Sequence, residues 1–190
     1  RYYLIAVTPL DRDADFSWEE FIRRNNDELA DVLGNFVHRT LVFTHRFFNK
    51  QIPRAGEMTE EDRIILESVR STKDEVETSL ERQEFHRAIR SVIELAAVGN
   101  RYLNEKEPWK AIKDEPEKAA PTLYVSSQIV KALAILLEPF LPFTSERIWG
   151  FLNLPKSVHE QEWDEAEREL PPGHAINRPK PLFKKIESKM

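Results

Sequence analysis

The chain has 190 residues with a formal net charge of −5, and its 41% hydrophobic and 32% charged residues predict a packed core rather than disorder. The absence of cysteine excludes disulfides and thiolate metal sites, and the negative charge argues against a protein that coats nucleic acid non-specifically. No apolar run approaches the roughly 20 residues that span a bilayer, so we expect a soluble protein.

The chain opens within an element, at Arg1-Tyr2-Tyr3-Leu4, without an initiator Met, and we therefore expect a piece of a longer protein. After a polar loop over residues 8–15, Ser17 and Glu20 have the spacing of a capping box and predict the start of a helix. Nothing breaks this helix before Lys50, although Gly34 suits a kink where two segments join.

Four further helices are predicted from caps, prolines and the spacing of apolar residues. Thr59 and Asp62 form the pattern of a helix cap, and the segment that begins at Pro121 is apolar most of the way round, which predicts a central helix. Beyond Pro155 the chain is polar and proline-rich, and we expect this tail either to pack on another surface or to be disordered. The helices are predicted over residues 59–80, 83–106, 121–138 and 144–152, which together with the first give an all-α bundle of about five helices.

Two polar side chains lie one turn apart in the first long helix, Asn35 and Arg39. A helical wheel places them with Val42 and Arg46 on the side opposite the apolar arc. An amide and a guanidinium at this spacing can together read the edge of a base. From spacing alone, a solvated helix face is the commoner explanation.

Pro108-Trp109 follows a helix that carries several arginines, among them Arg101. A tryptophan held by a proline beside a helix end makes a platform for an unstacked base, and base–aromatic stacking contributes about 1–3 kcal/mol per base. The alternative is a hydrophobic plug that closes the bundle, which composition alone favours.

No catalytic group is predicted. The five histidines lack the spacing of a metal site, and neither a P-loop nor a nucleophile elbow is present. Most of the acidic residues belong to solvated faces. The sequence therefore predicts neither an active site nor a metal site in this chain.

Three segments carry a resemblance to a known family. Residues 26–39 (NDELADVLGNFVHR), 97–109 (AVGNRYLNEKEPW) and 137–144 (LEPFLPFT) resemble the C-terminal half of methionyl-tRNA synthetases, which are class I aminoacyl-tRNA synthetases. The first and third patterns are shared loosely with the leucyl, isoleucyl and valyl enzymes. The combination of Asn35 and Arg39 with Pro108-Trp109 is similar to the methionine-specific pattern.

The resemblance implies the anticodon-binding domain of a class I synthetase. Residues 1–27 would end a stem-contact segment, residues 28–155 would form the helical bundle, and residues 156–190 would pack back on a catalytic domain that is missing here. Without that domain we expect the tail to be loose and the chain to be inactive alone. ATP and zinc are expected only in the catalytic half, so no cofactor is expected in this chain.

The implied function is recognition of the CAU anticodon within a methionine–tRNA ligase, which attaches methionine to its tRNA using ATP. In the family, the residues that match Asn35 and Arg39 read the first anticodon base, cytosine, and the residue that matches Trp109 stacks on it. Arg46, Arg101 and Pro108 are supporting candidates.

The implied partners are a methionine-accepting tRNA and the catalytic domain of the same polypeptide, with neither DNA nor a membrane, in the cytoplasm. Two alternatives stay open: the equivalent domain of a leucyl-, isoleucyl- or valyl-type enzyme, and a helical protein-interaction bundle without RNA binding.

Overall fold

A computed structural model of the protein describes residues 1–8 and 15–187, so the predicted loop over residues 8–15 lies largely outside the described residues. In that described part, β pairing is confined to one isolated antiparallel bridge between Gln51 and Ala175, and the fold is the predicted helical bundle. Its helices are α1 (Tyr2–Val7), α2 (Trp18–Arg24), a π-helical segment (Asn25–Gly34), α3 (Asn35–Phe47), α4 (Glu60–Glu81), α5 (Phe85–Lys106), α6 (Pro108–Ala111), α7 (Pro116–Leu136) and α8 (Pro142–Phe151), followed by 3₁₀ turns at Val158–Glu160 and Trp163–Glu167.

The first long helix runs without a break through α2, the π-helical segment and α3. Ser17 caps it as predicted, because its Oγ accepts a hydrogen bond from the backbone N–H of Glu20 at 3.2 Å. The reciprocal half of the capping box is absent: the Ser17 N–H donates to the Tyr3 hydroxyl at 3.0 Å, and the Glu20 carboxylate pairs with Arg24 at 2.9 Å. Gly34 ends the π-helical segment, at the predicted join.

The central helix α7 begins five residues before the predicted start. Pro116 occupies its first position, where a missing N–H costs little, and Pro121 is accommodated inside the helix. Pro142 likewise occupies the first position of α8, two residues before the predicted start. By length and composition α7 could span a membrane, so the expectation that no apolar segment is long enough is corrected. However, 94% of its most apolar window is buried inside the protein. It is a core helix of the bundle.

A buried polar cluster joins the start of α4 to the end of α5. Thr59 and Asp62 form a complete capping box. Asp62 is 2% exposed, and its carboxylate accepts hydrogen bonds from the Tyr102 hydroxyl at 2.7 Å and the Thr59 N–H at 2.8 Å, with Lys106 Nζ at 3.0 Å. Burial raises the pKa of Asp62, but these hydrogen bonds outweigh it, and the pKa lies below its usual value.

The tail packs on the bundle of this same chain, so the expectation that it is loose is wrong through residue 187. The buried Lys131 ammonium on α7 donates to the carbonyls of Glu165 and Arg168, each at 2.5 Å. Farther along, Arg147 on α8 donates to the carbonyls of Pro181 and Leu182, each at 2.7 Å. The buried Lys131 ammonium would otherwise lack partners, so these bonds fix the tail in place, and the exposed Arg147 adds a second attachment. Packing of the tail on a catalytic domain stays a prediction.

The helices α3 and α5 meet at Gly99. A Cβ atom at this position would lie 2.3 Å from the ring of Phe36, which is itself fully buried. Only glycine therefore lets the Phe36 ring lie directly on the backbone of α5. Since Asn100 is the next residue, this contact also sets the distance between the polar faces of the two helices.

We expect Gly99→Ala to destabilise the chain by about 2 kcal/mol, because the overpacked ring has no room to move and the small gain in helix propensity does not compensate. The measurement is urea unfolding followed by circular dichroism. Gly150→Ala on α8 is the matched control, since nothing lies within 4 Å of its added Cβ, and it should stabilise slightly. Equal stability of the two variants would contradict the close-contact account.

We expect Asp62→Asn to cost about 2 kcal/mol at neutral pH, because the charged acceptor of the buried cluster is lost. Since folding lowers the pKa of Asp62, its contribution is complete above the usual value of 3.8 and is lost as the pH falls through the lower folded value. The stability difference between wild type and variant should therefore shrink below pH 3.8. A difference that does not change with pH in thermal unfolding would rule this out.

Candidate nucleic-acid interface

Two polar pairs link the faces of α3 and α5. The Asn35 amide donates to the Asn100 side chain at 3.5 Å, and the Arg39 guanidinium donates to the Asn104 side chain at 3.0 Å. Both pairs are separated by 65 residues, so the two helices run in the same direction with matching one-turn spacing. Asn100 is held in turn by a hydrogen bond from its amide to the Val32 carbonyl at 2.8 Å.

Trp109 lies against this face. Glu107, at the end of α5, adopts a left-handed conformation with φ of 44°, and the buried Pro108 then opens α6. This reversal brings Trp109 back to α3, where the guanidinium carbon of Arg39 lies 4.9 Å from the centroid of the tryptophan ring. The Trp109 side chain is half-buried and is not sealed inside the bundle.

Arg39 is held from two sides. Asn104 accepts a hydrogen bond from the guanidinium, and the Trp109 face attracts the cation. Burial lowers the pKa of Arg39, but an arginine stays protonated at neutral pH. The group therefore presents a fixed positive charge and unused N–H donors at the protein surface.

The supporting candidates have different surroundings. Arg101 is exposed and lines an open cleft of about 560 Å³ together with Asn35, Asn100 and Asn104. Arg39 and Trp109 adjoin this cleft through Asn104 rather than lining it. Arg46 is exposed, stacks on Phe47 at 5.1 Å and lies two turns from Arg39.

Three residues of this region were not predicted: Asn100, Asn104 and Phe43. The ring of Phe43 lies 6.4 Å from that of Trp109 and supports it from α3. Asn100 and Asn104 repeat on α5 the one-turn spacing of Asn35 and Arg39, and this repeat was a signal present in the sequence. What the sequence lacked was the direction and register of the two helices.

Among residues 1–8 and 15–187, no group of three or more histidine and acidic side chains is placed to hold a metal ion. The polar side chains that converge are amides, a guanidinium and an indole. Such groups donate and accept hydrogen bonds and stack on flat ligands, which is the chemistry of base recognition.

Comparison with known proteins gives two family matches. Residues 52–190 match the family described as the anticodon binding domain of methionyl tRNA ligase, and residues 1–41 match class I tRNA synthetases of the methionine type. Trp109 falls in the first match, and Asn35 and Arg39 fall in the second.

The curated relatives include the methionine–tRNA ligase of Methanobrevibacter smithii, 45% identical over 187 residues, which are 98% of this chain and 28% of the relative. The ligase of Pyrococcus furiosus is 48% identical over 185 residues, 97% of this chain and 25% of the relative. The chain thus spans about a quarter of the length of these relatives.

Among solved structures, the apo form of Mycobacterium tuberculosis methionyl-tRNA synthetase superposes with a TM-score of 0.91 at 25% identity, covering 98% of this chain and 38% of that one. These relatives carry the methionine name and agree with neither the leucyl-, isoleucyl- or valyl-type alternative nor a bundle devoted to protein interaction. The chain belongs to the methionyl-tRNA synthetase family, and its residues 52–190 are that family's anticodon-binding domain.

Proposed function

We propose that this chain selects tRNA by reading the first base of a CAU anticodon, as part of a methionine–tRNA ligase that attaches methionine to its tRNA using ATP. The observation that carries the proposal is the contact between Arg39 and Trp109 at 4.9 Å, on the helix face that also presents Asn35. A π platform and a fixed cation lie side by side there at the protein surface.

The chemistry fits cytosine. Its Watson–Crick edge offers two acceptors, a carbonyl oxygen and a ring nitrogen, and one amino donor. Arg39 supplies donors to the acceptors, and the Asn35 amide supplies an acceptor for the amino group. Trp109 supplies the stacking surface for the unstacked base. Uracil at the same place would leave at least one of these groups without a partner, at a cost of about 1–3 kcal/mol.

Asn100 and Asn104 have a positioning role in this proposal. Their side-chain oxygens accept hydrogen bonds from Asn35 and Arg39, which restricts the rotamers of both before RNA binds. Less rotamer freedom is then lost on binding, and lower ordering cost favours affinity and discrimination.

The remaining parts of the proposal concern the rest of the protein. Activation of methionine with ATP, and any zinc site, would belong to a catalytic domain of the same polypeptide, and the 190 residues alone would bind RNA without aminoacylating it. We place the protein in the cytoplasm, where tRNA is charged, with tRNA and that catalytic domain as its partners.

We expect Trp109→Ala to weaken binding of a CAU anticodon stem-loop by about 5- to 150-fold, since one base loses stacking worth about 1–3 kcal/mol. Fluorescence anisotropy with labelled stem-loops measures the effect. Trp18→Ala, which removes a 70% exposed tryptophan at the opposite end of the first long helix, about 30 Å from Arg39 along its axis, is the matched control and should bind as wild type does. Equal losses in the two variants, or none in either, would refute the assigned platform.

Asn104→Ala tests whether Asn104 positions the Arg39 guanidinium for base recognition. The guanidinium of Arg39 would lose one hydrogen bond, typically worth about 1 kcal/mol, so the preference for CAU over UAU should fall about fivefold. Competition between the two stem-loops measures this ratio. A preference that stays at the wild-type value would show that Arg39 needs no support from α5.

A further inference from the structure

Two stretches of the sequence combine four basic residues with no acidic residue. Residues 32–56 hold four lysines and arginines without an aspartate or glutamate, and residues 170–186 hold another four. All 33 acidic residues lie elsewhere, so the protein is basic in these two stretches and strongly acidic outside them. Because the whole chain has a net charge of −5, this segregation indicates two locally basic regions on an otherwise acidic protein.

The fold pairs these two stretches with each other. Gln51 and Ala175 form the antiparallel bridge, the Ile52 N–H donates to the His174 carbonyl at 2.9 Å, and the Ile176 N–H donates to the Lys50 carbonyl at 2.8 Å. The two stretches, which residues 57–169 separate along the chain, thus add their cations to one surface, which we call the basic ridge.

The tail then runs back along the first long helix. Phe183 packs over Gly34, where an added Cβ would lie 3.2 Å from its ring, and Lys185 pairs with Asp31 at 2.6 Å. The tail and the helix that carries Asn35 and Arg39 are therefore antiparallel neighbours. The basic ridge consists of the exposed lysines and arginines of the two stretches: Arg46, Lys50, Arg54, Arg178, Lys180 and Lys184.

The ridge cations are available to a ligand. Each is exposed, and the ion pairs found within residues 1–8 and 15–187 are made by other lysines and arginines, with Lys185 at the edge of the ridge. Like charges that cluster without counter-charges repel one another, so an anionic partner would relieve this cost. The ridge is also continuous with the base site, because Arg46 follows Arg39 by two turns, about 10 Å along α3.

We propose that the basic ridge binds the phosphates of the RNA strand that leaves the base site, an inference that rests on the proposed function. A strand whose base lies against Trp109 and Arg39 must leave that site in some direction. The ridge offers it unpaired cations at successive positions, whereas the rest of the surface carries the excess of acidic residues. Contacts to phosphate fix register and orientation and carry no sequence information.

The test compares two double variants of the 190-residue chain, each losing two exposed arginine or lysine charges. Lys50→Gln/Arg178→Gln removes one cation from each paired stretch of the ridge. Arg82→Gln/Arg90→Gln is the matched control: Arg82 follows the last residue of α4, and Arg90 lies in the N-terminal part of α5, far from Asn104. Binding of the CAU stem-loop is measured by anisotropy over a series of potassium chloride concentrations, with thermal unfolding as a check of folding.

The ridge variant should bind about tenfold more weakly at low salt, and its slope of log affinity against log salt should be shallower by about 1.4, roughly 0.7 for each lost phosphate contact. Its preference for CAU over UAU should be unchanged, since phosphate contacts do not read bases. The control should keep the wild-type affinity and slope. Lys50→Arg/Arg178→Lys, which retains both charges, should restore binding.

Two failures can be told apart. If wild type does not prefer CAU and Trp109→Ala has no effect, the proposed function itself fails. If wild type prefers CAU and Trp109→Ala weakens binding, but the ridge variant matches the Arg82/Arg90 control in affinity and slope, the phosphate surface is wrong and the base site stands. The RNA-phosphate proposal would also be overturned if the protein bound phosphatidylserine vesicles in a salt-dependent way, and the ridge variant abolished that binding while its tRNA affinity stayed unchanged.

Discussion

The close approach of α3 and α5 at Gly99 governs the position of every side chain proposed to read the base. With the Phe36 ring on the glycine backbone, the two helices run in the same direction at one fixed register. Asn35 then meets Asn100 and Arg39 meets Asn104, one turn apart. Because α6 starts directly after the left-handed Glu107, the same register delivers Trp109 to Arg39. The core packing and the proposed base site are thus one arrangement, and neither can shift alone.

The tail is held on the bundle by hydrogen bonds within the same chain. Its backbone carbonyls accept from Lys131 on α7 and from Arg147 on α8, so it keeps a single course along the bundle. That course places residues 170–186, which contain no acidic residue, beside residues 32–56, which also contain none, and the resulting positive charge lies next to the proposed base site. Local base contacts and a neighbouring phosphate surface would explain how a protein of net charge −5 can bind a polyanion selectively.

The sequence predicted the features that depend on local chemistry. The caps at Ser17 and Thr59, the ends of α4 and α5, and the outward face of Asn35 and Arg39 follow from capping patterns and helical spacing alone. The predicted start of α7 at Pro121 is wrong, because Pro121 lies inside the helix and Pro116 occupies its first position. The π-helical segment was not predicted either. Its Gly34 was identified only as a kink.

Features that depend on tertiary contacts could not be derived from spacing. The contact between Arg39 and Trp109 requires the reversal at Glu107 and the register of α3 on α5, and that register is set by packing at Gly99. The resemblance to the synthetase family indicated the three candidate residues without their geometry. Asn100 and Asn104 escaped notice because an amide on a helix face has no meaning until its neighbour is known.

The central claim is that Arg39 contacts the first anticodon base, and a thermodynamic cycle tests it most directly. Wild type and Arg39→Gln are each measured with CAU and UAU stem-loops, which isolates the coupling between the guanidinium and that base. A coupling of about 1–3 kcal/mol is predicted, so that the variant largely loses the penalty for uracil. If Arg39→Gln weakens both stem-loops equally and the coupling is zero, Arg39 does not read the base.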